Sequence, residues 1–285
     1  MSTVATIAAP RARKRSTGTA ITYVVALVII AVTVVPLLFV IVGGFRTTAQ
    51  INSDPAGLPS PWVWDNYRII LGSSQFWRFL GNSALIAVIA TVLAVGFGSM
   101  AAFALSRYTF KGRDSIYTLF TLGLLFPLTV ATLPLYLWLR QLGLLESPLG
   151  VAIPEAAFSL PVTIVILRPF MHAIPGEIED AAVLDGATRV GFFWRILLPL
   201  SMPALTTVAV LAFVTSWNGY LLPLLVFNDS QHFTLPLGVA TFQSQYSQDT
   251  ARVLAFTALS MIPALGFFML AERRIVGGLT GSVKG

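Results

Sequence analysis

The stretch PGEIEDAAVLDGATRVGFFWRILLPLSMP, Pro175 to Pro203, is the segment around which the chain is organised. It holds four of the twelve Asp and Glu residues, and long apolar runs flank it on both sides. A polar segment between apolar runs of membrane-spanning length predicts a contact outside the bilayer. Residues 172–199, which contain most of this stretch, are called the island below.

The composition indicates a membrane protein. Of the 285 residues, 56% are hydrophobic and 11% are charged, with a mean hydropathy of +0.80; soluble domains carry about 25% charged residues. The net charge of +6 is spread between apolar runs, so it indicates the positive-inside bias and no nucleic-acid partner. With no cysteine and two histidines, a disulfide framework and a Cys- or His-rich metal site are not expected.

The apolar runs predict an all-α protein with six transmembrane helices. A hydrocarbon core needs about 20 residues, and the first run lacks the short apolar core of about 7–15 residues and the cleavage site of a signal peptide. The predicted spans are residues 21–42, 79–105, 116–139, 153–171, 199–227 and 253–271.

The distribution of Lys and Arg predicts the orientation. The two tails, the second connection and the island with Arg168 hold 13 of the 18 basic residues, so both termini and the island are expected in the cytoplasm, in the cell membrane. The predicted units are a disordered basic cytoplasmic tail (1–20), a first span with its outer loop (21–78), a core of five spans that includes the island (79–271) and a cytoplasmic C-terminal tail (272–285).

Three spans carry local signals. Small residues recur every three or four positions in the second span, which predicts close packing against another helix. Pro127 and Pro134 predict a kink or unwound turn in the third span, facing protein or a cavity. Glu155 and Arg168, near the two ends of the fourth span, are expected to reach the interface by snorkelling.

Several catalytic and transport motifs are missing. None of the three lysines, Lys14, Lys111 and Lys284, follows a glycine, so the chain has no P-loop for nucleotide phosphates. It also has no G-x-S-x-G or H-E-x-x-H motif and no ionisable residue near the middle of a predicted span. The chain is therefore not expected to be an enzyme, and any transport is passive or driven from outside the chain.

The island predicts two short helices joined at Gly186. Acidic residues in the first turn favour a helix N-terminus, and Ala181, Ala182 and Leu184 predict a small-sided docking face. In the second helix Val190, Phe193, Trp194 and Leu197 are spaced as one apolar stripe, and Pro199 is expected to end that helix. The alternative is an amphipathic helix that rests on lipid headgroups.

The island resembles the EAA loop of permease subunits in ATP-binding-cassette importers. The family pattern is E-A-A, three residues, G, nine residues, I, one residue, L-P, and six of its seven positions match. The exception is Asp180, where the family usually has Glu. The positions are Asp180, Ala181, Ala182, Gly186, Ile196, Leu198 and Pro199.

Further segments are similar to the carbohydrate-uptake branch, in particular to the smaller, G-type permease of maltose-like systems. They are AAVLDGA, WNGYLLPLLVF (Trp217–Phe227), TLPLG (Thr234–Gly238) and GLTGSVKG (Gly278–Gly285). The resemblance covers most of the chain from Phe79 onward.

This resemblance implies a type I importer permease fold and a set of partners. The partners are a second permease, two ATP-binding subunits that hold ATP and Mg, an extracytoplasmic sugar-binding protein and the lipid bilayer; this chain itself binds no cofactor. The coupling residues are expected to be Glu179, Asp180, Ala181, Ala182, Asp185, Gly186, Ile196, Leu198 and Pro199. Gly281, Ser282 and Lys284 of the tail are expected to lie toward the ATPase.

Trp217, Asn218 and Tyr220 are the candidate residues of the sugar pathway. They combine aromatic faces with an amide, which suits a neutral sugar, and a buried Asn is costly unless it faces protein or water. The alternative is that Asn218 bonds a neighbouring helix and Trp217 packs. For the whole chain the alternative function is a passive channel or facilitator for a small neutral solute, with no ATPase partner.

Overall fold

The computed structural model describes residues 17–245 and 249–281, and every regular element in this part of the chain is helical. The elements are α1 (Thr17–Gly43), α2 (Thr48–Ser53), α3 (Asp65–Leu71), α4 (Ser74–Arg107), α5 (Arg113–Gly123), α6 (Leu128–Gln141), α7 (Pro148–Ala173), α8 (Gly176–Leu184), α9 (Arg189–Phe192), a π-helical turn (Phe193–Leu197), α10 (Leu198–Leu200), α11 (Met202–Trp217), α12 (Leu221–Val226), a 3₁₀ turn (Ser230–His232), α13 (Leu235–Gln245) and α14 (Thr250–Gly281). The predicted all-α class is confirmed for these residues.

Four helices, α1, α4, α7 and α14, are long and apolar enough to cross a membrane. Two bent helix pairs raise the number to six if each pair forms one span: α5 with α6, and the segment Arg189–Leu200 with α11. The chain is therefore a multi-pass membrane protein, as its composition predicts.

The centre of the fold is the packing of α4 against α7 and α11. Ala87, Ala94 and Gly98 of the small-residue seam are buried along this contact. At Gly98 there is no room for a Cβ atom, which would overlap Thr163 Cγ2 and lie 3.1 Å from Thr163 Cβ. Small residues allow membrane helices to approach closely, so the predicted seam is confirmed.

The third predicted span is broken at Pro127. The α5 and α6 axes meet at 100°, and Pro127 caps the start of α6. Pro134 lies inside α6 without breaking it, because the helix continues to Gln141. The kink is therefore confirmed at one of the two prolines. The side chain of Leu125 at the break is 78% exposed, so the break lies at the surface of the described part of the chain and the predicted packing of this turn against protein is not seen there.

The last two predicted boundaries differ from the structure. The polar connection predicted at 228–251 contains α13, whose Leu235 and Leu237 are buried; Ser83 Oγ on α4 accepts the Leu235 N–H, which anchors the start of α13. The C-terminal tail predicted to begin at 272 is helical as far as Gly281, within α14. At the other end α1 begins at Thr17, four residues before the predicted span.

Candidate functional site

The island forms two helical segments joined at Gly186. The first segment is α8, and the second begins at α9, where the Thr188 hydroxyl accepts the Gly191 N–H at 3.1 Å. Gly186 has φ +83°, a left-handed backbone that costs a residue with a Cβ about 1–2 kcal/mol. The predicted two-helix joint at this glycine is therefore present.

The underside of the island is buried against α4 and α7. Phe192, Phe193 and Leu197 are at most 4% exposed and belong to one core cluster with Leu167 and Met171. The Phe193 ring stacks on Phe103 of α4 with centroids 5.0 Å apart. A segment fixed in this way moves with the helix bundle, which argues against a helix that only rests on lipid.

The predicted apolar stripe is right for Phe193 and Leu197, which are buried, and wrong for Val190 and Trp194. The chain forms a π-helical turn from Phe193 to Leu197. The neighbours Phe192 and Phe193 are both buried, whereas Val190 and Trp194 are 67% and 53% exposed. The predicted helix end at Pro199 is one residue early. The helix continues through Leu200, and the 80° bend into α11 follows at Ser201.

The outward face of the island is acidic and apolar. Asp180, Ala181, Asp185 and Gly186 are exposed. Ala182 is 6% exposed and packs inward, so the predicted small-sided docking face is wrong at that position. Of the remaining predicted coupling residues, Glu179, Ile196 and Leu198 are half-buried and Pro199 is exposed.

Two large apolar side chains complete that outward face. Leu184 is 88% exposed and Val183 is 58% exposed at the end of α8. Trp194 and Val190 of the second segment are also exposed, as are Asp180 and Asp185. Such a mixed face suits a protein partner with an apolar groove and a basic rim.

Glu179 links the island to the end of α4. Its Oε2 lies 3.9 Å from Arg107 Nε, and the Arg107 side chain is 8% exposed. Arg107 also donates to the Ile174 carbonyl at 2.8 Å. The sequence pattern gave no sign of this pair, because the two residues are 72 positions apart.

Tyr108, the residue after Arg107, also contacts the island. The guanidinium of Arg189 is 4.9 Å from the centre of its ring. Burial, and then the charge of Glu179, raises the pKa of the Tyr108 phenol above its usual value, although Arg189 and Arg107 act in the opposite direction. The phenol therefore stays neutral at physiological pH.

Cationic and polar side chains of α7 bind the C-terminal end of α4. Arg168 Nε donates to the Leu105 carbonyl at 3.2 Å, and its guanidinium lies 3.9 Å from the Tyr117 ring centre. His172 Nδ1 is 3.2 Å from the Ser106 carbonyl oxygen. Positive charge at a helix C-terminus is favourable, and these contacts fix α4, α5 and α7 to one another beside the island.

The three candidate pathway residues have different environments. Trp217 is 4% exposed, stacks on Phe213 and donates to the Ser260 carbonyl at 3.3 Å, so it packs. Asn218 and Tyr220 are exposed at the break between α11 and α12. Among the side chains that the structure describes, Asn218 has no hydrogen bond to a neighbouring helix, so the predicted alternative is seen for Trp217, which packs, and not for Asn218.

A mainly apolar groove of about 540 Å³ adjoins Asn218. It lies between α11, α13 and α14, and Trp217, Ser260 and Pro236 are among the residues that line it. Among residues 17–245 and 249–281, no group of three His, Asp or Glu side chains is placed to hold a metal ion.

Glu155 does not snorkel, so that prediction is wrong. The residue is 9% exposed on α7, and its Oε2 accepts a hydrogen bond from Ser216 Oγ of α11. The sequence interpretation placed it near a span end, whereas the pairing with Ser216 turns its carboxylate into the bundle. Of the tail residues, Gly281 ends α14, and Ser282 and Lys284 lie outside the described residues.

A family model described as "Binding-protein-dependent transport system inner membrane component" matches residues 94–275. The chain belongs to this permease family. The match includes the island and the break at 218–220, and it confirms the family resemblance seen in the sequence.

Curated relatives of the permease cover most of its length. The trehalose transport system permease SugB of Mycobacterium tuberculosis is 35% identical, over 90% of this chain and 94% of its own. The arabinooligosaccharides permease AraQ of Halalkalibacterium halodurans is 34% identical (89% and 92%), and the diacetylchitobiose permease NgcG of Streptomyces coelicolor is 32% identical (87% and 83%).

Two solved structures share the fold of the permease. A chain of a bacterial ABC transporter involved in the import of alginate matches with a TM-score of 0.77 and 23% identity, over 93% of this chain and 99% of its own. A chain of the alginate transporter in complex with its alginate pentasaccharide-bound periplasmic protein matches with a TM-score of 0.64 and 15% identity, over 88% and 92%. The fold is therefore that of an ABC importer permease.

Proposed function

We propose that this chain is the permease subunit of an ATP-driven importer that moves a sugar or oligosaccharide into the cell. The observation that carries the proposal is the island: a segment that is packed against α4 and α7 and that exposes both carboxylates and large apolar side chains. The relatives named for trehalose, arabinooligosaccharides and diacetylchitobiose support the substrate class.

The proposed topology has six spans, with each bent helix pair counted as one. Both termini and the island lie in the cytoplasm, which is supported by the excess of Lys and Arg on that side. In this arrangement α1 is the first span, the segment between α1 and α4 is the outer loop, and α4 to α14 form the core, with the end of α14 on the cytoplasmic side.

The island acts as the EAA coupling loop that docks the ATPase. Asp180, Asp185 and Leu184 on its outward face contact the ATP-binding subunit. Glu179, held by Arg107, keeps α8 in place against the helix bundle. ATP and Mg are bound by two partner subunits; a second permease completes the membrane pore, and an extracytoplasmic binding protein delivers the sugar.

Asn218 and Tyr220 line the sugar pathway, whereas Trp217 supports them from inside the bundle. Asn218 and Tyr220 are exposed at the break that follows α11, where an amide and a phenol can form hydrogen bonds to sugar hydroxyls. Their position suits a pore shared with the second permease.

Purification of the tagged chain from its native membranes tests the proposal. We expect a P-loop ATPase and a second permease to co-purify, and sugar-loaded binding protein to stimulate ATP hydrolysis by the complex. Asp180→Lys, which reverses an exposed charge, should reduce ATPase co-purification while the chain stays in the membrane.

The alternative, a passive facilitator, predicts the opposite results. The chain would then purify without an ATPase, and liposomes that contain it alone would equilibrate labelled sugars without ATP. A thermal-shift screen of the cognate binding protein against mono- and oligosaccharides would identify the transported sugar.

A further inference from the structure

The carboxylate of Glu155 lies against the turn at which α11 ends. Its Oε2 accepts the hydrogen bond from Ser216 Oγ, and its Oε1 faces Gly219, where a Cβ atom would lie 2.5 Å away. Both contacts are with residues of the same turn. The side chain of a residue on α7 therefore supports the backbone of α11 from within the bundle.

A carboxyl group in this position is costly without compensation. Burial in a membrane bundle disfavours a polar group that lacks hydrogen bonds, and ionisable residues inside such bundles usually mark functional sites. Glu155 is 9% exposed, and the Ser216 hydroxyl is the side-chain donor that compensates it. A residue used only for packing would not need a carboxyl group there.

The turn that Glu155 contacts carries the exposed polar residues. The Asn218 N–H donates to the Val214 carbonyl at 3.1 Å and the Gly219 N–H donates to the Ser216 carbonyl at 3.0 Å, which closes the last turn of α11. Asn218 and Tyr220 then face outward, and Tyr220 is 42% exposed. The inner side of the turn touches Glu155, while its outer side presents these two residues.

We propose that Glu155 is a positioning residue that holds residues 218–220 in the conformation in which Asn218 and Tyr220 are presented to the permeation pathway. That the pathway carries sugar rests on the proposed function; the positioning itself does not.

The position of Glu155 relative to the island adds to its role. The island lies between the end of α7 and the start of α11, and Glu155 is 20 residues before Pro175 on α7. At 1.5 Å per residue that separation is about 30 Å. The Glu155–Ser216 contact therefore joins α7 and α11 at the ends of these helices that lie far from the island. We expect residues 218–220 to move with both helices when the island moves.

Thiol labelling measures the conformation of this turn directly, because the natural chain has no cysteine. The full-length chain with Asn218→Cys, in its complex in permeabilised membranes, is reacted with 2-(trimethylammonium)ethyl methanethiosulfonate. We expect Glu155→Ala to change the labelling rate about fivefold, as expected from the loss of one hydrogen bond. Glu155→Gln keeps an acceptor oxygen for Ser216 and should restore the parent rate.

A second reporter separates a local effect from misfolding. Leu58→Cys lies in the first outer loop, at a residue that is 77% exposed, and its labelling should be the same in all three backgrounds. If Glu155→Ala does not accumulate in membranes, Ser216→Ala removes the same hydrogen bond and should change the Asn218→Cys rate in the same direction. The proposal would be overturned if Asn218→Cys were labelled at the parent rate in whichever of Glu155→Ala and Ser216→Ala accumulates in membranes. It would also be overturned if Glu155→Gln changed the labelling rate as much as Glu155→Ala does.

Labelling needs neither a sugar nor ATP, so its outcome is independent of the proposed function. Absence of ATP-dependent uptake by the parent complex would count against sugar import alone. Unchanged labelling together with normal uptake would count against the role of Glu155 alone.

Discussion

Glu179 Oε2 on the island lies 3.9 Å from the buried guanidinium Nε of Arg107 at the end of α4. The contact joins the proposed docking segment to a helix that precedes it by about 70 residues in the chain. If the ATPase docks on the island as proposed, it would displace α4 together with the two helices that flank the island.

Glu179→Ala should weaken this connection. The nearly buried Arg107 then loses its counter-charge, and we expect a loss of about 1 kcal/mol of stability, or about 2–4 °C in thermal midpoint for a chain of this size. Size-exclusion chromatography of heated detergent extracts measures the midpoint. Glu177→Ala, at an exposed acidic residue of the same turn, is the matched control. Additive effects of Glu179→Ala and Arg107→Ala in a double-mutant cycle would contradict the pairing.

Gly186→Ala should distort the joint between the two island helices. A Cβ at φ +83° is strained by about 1–2 kcal/mol although the space around it is open. We expect a lower ratio of sugar uptake to ATP hydrolysis, with normal amounts of the chain in the membrane, and a larger loss with Gly186→Pro. Gly176→Ala, also in open space but without a positive φ, should behave as the parent. Equal uptake by the two alanine variants would show that the joint tolerates the change.

Leu184→Asp should prevent docking without unfolding the chain. Leu184 is 88% exposed, so the substitution changes stability by no more than about 0.5 kcal/mol, but it places a charge where the ATPase is proposed to bind. The amount of ATPase that co-purifies with the chain measures the effect. Leu58→Asp makes the same change at a residue that is 77% exposed in the first outer loop, and it should leave co-purification intact. A similar loss in both variants would argue against a specific docking face.

Gly98→Ala should destabilise the contact between α4 and α7. The new methyl group overlaps Thr163 Cγ2, and overpacking of this kind costs about 1–3 kcal/mol. Thr163→Ser removes that methyl group and keeps the hydroxyl that donates to the Ser159 carbonyl, so the double variant should recover. Gly96→Ala, on the same helix in open space, is the control, and the thermal midpoint is the measurement. Failure of Thr163→Ser to restore stability would place the strain elsewhere.

The sequence by itself determined the properties that depend on composition and local backbone chemistry. The apolar runs predicted a helical membrane protein, because a bilayer requires long uncharged helices. Pro127 predicted the break in the third span, and Gly186 predicted the joint in the island, because proline and glycine act on the backbone where they stand. The motif around Gly186 was specific enough to predict the family.

Only the tertiary structure decided which side chains face inward. Regular helical spacing predicted Phe193 and Leu197 of the island helix as buried, but it missed Phe192 and assigned the exposed Val190 and Trp194 to the buried face. A π-helical turn at Phe193–Leu197 interrupts that regular spacing. Glu155 and Ser216 are 61 positions apart, and Arg107 and Glu179 are 72 apart. Periodicity describes one helix at a time, whereas the burial of a charge depends on which helix packs against it. For that reason the island could be found in the sequence, but its support by Arg107 and the buried carboxylate behind Asn218 could not.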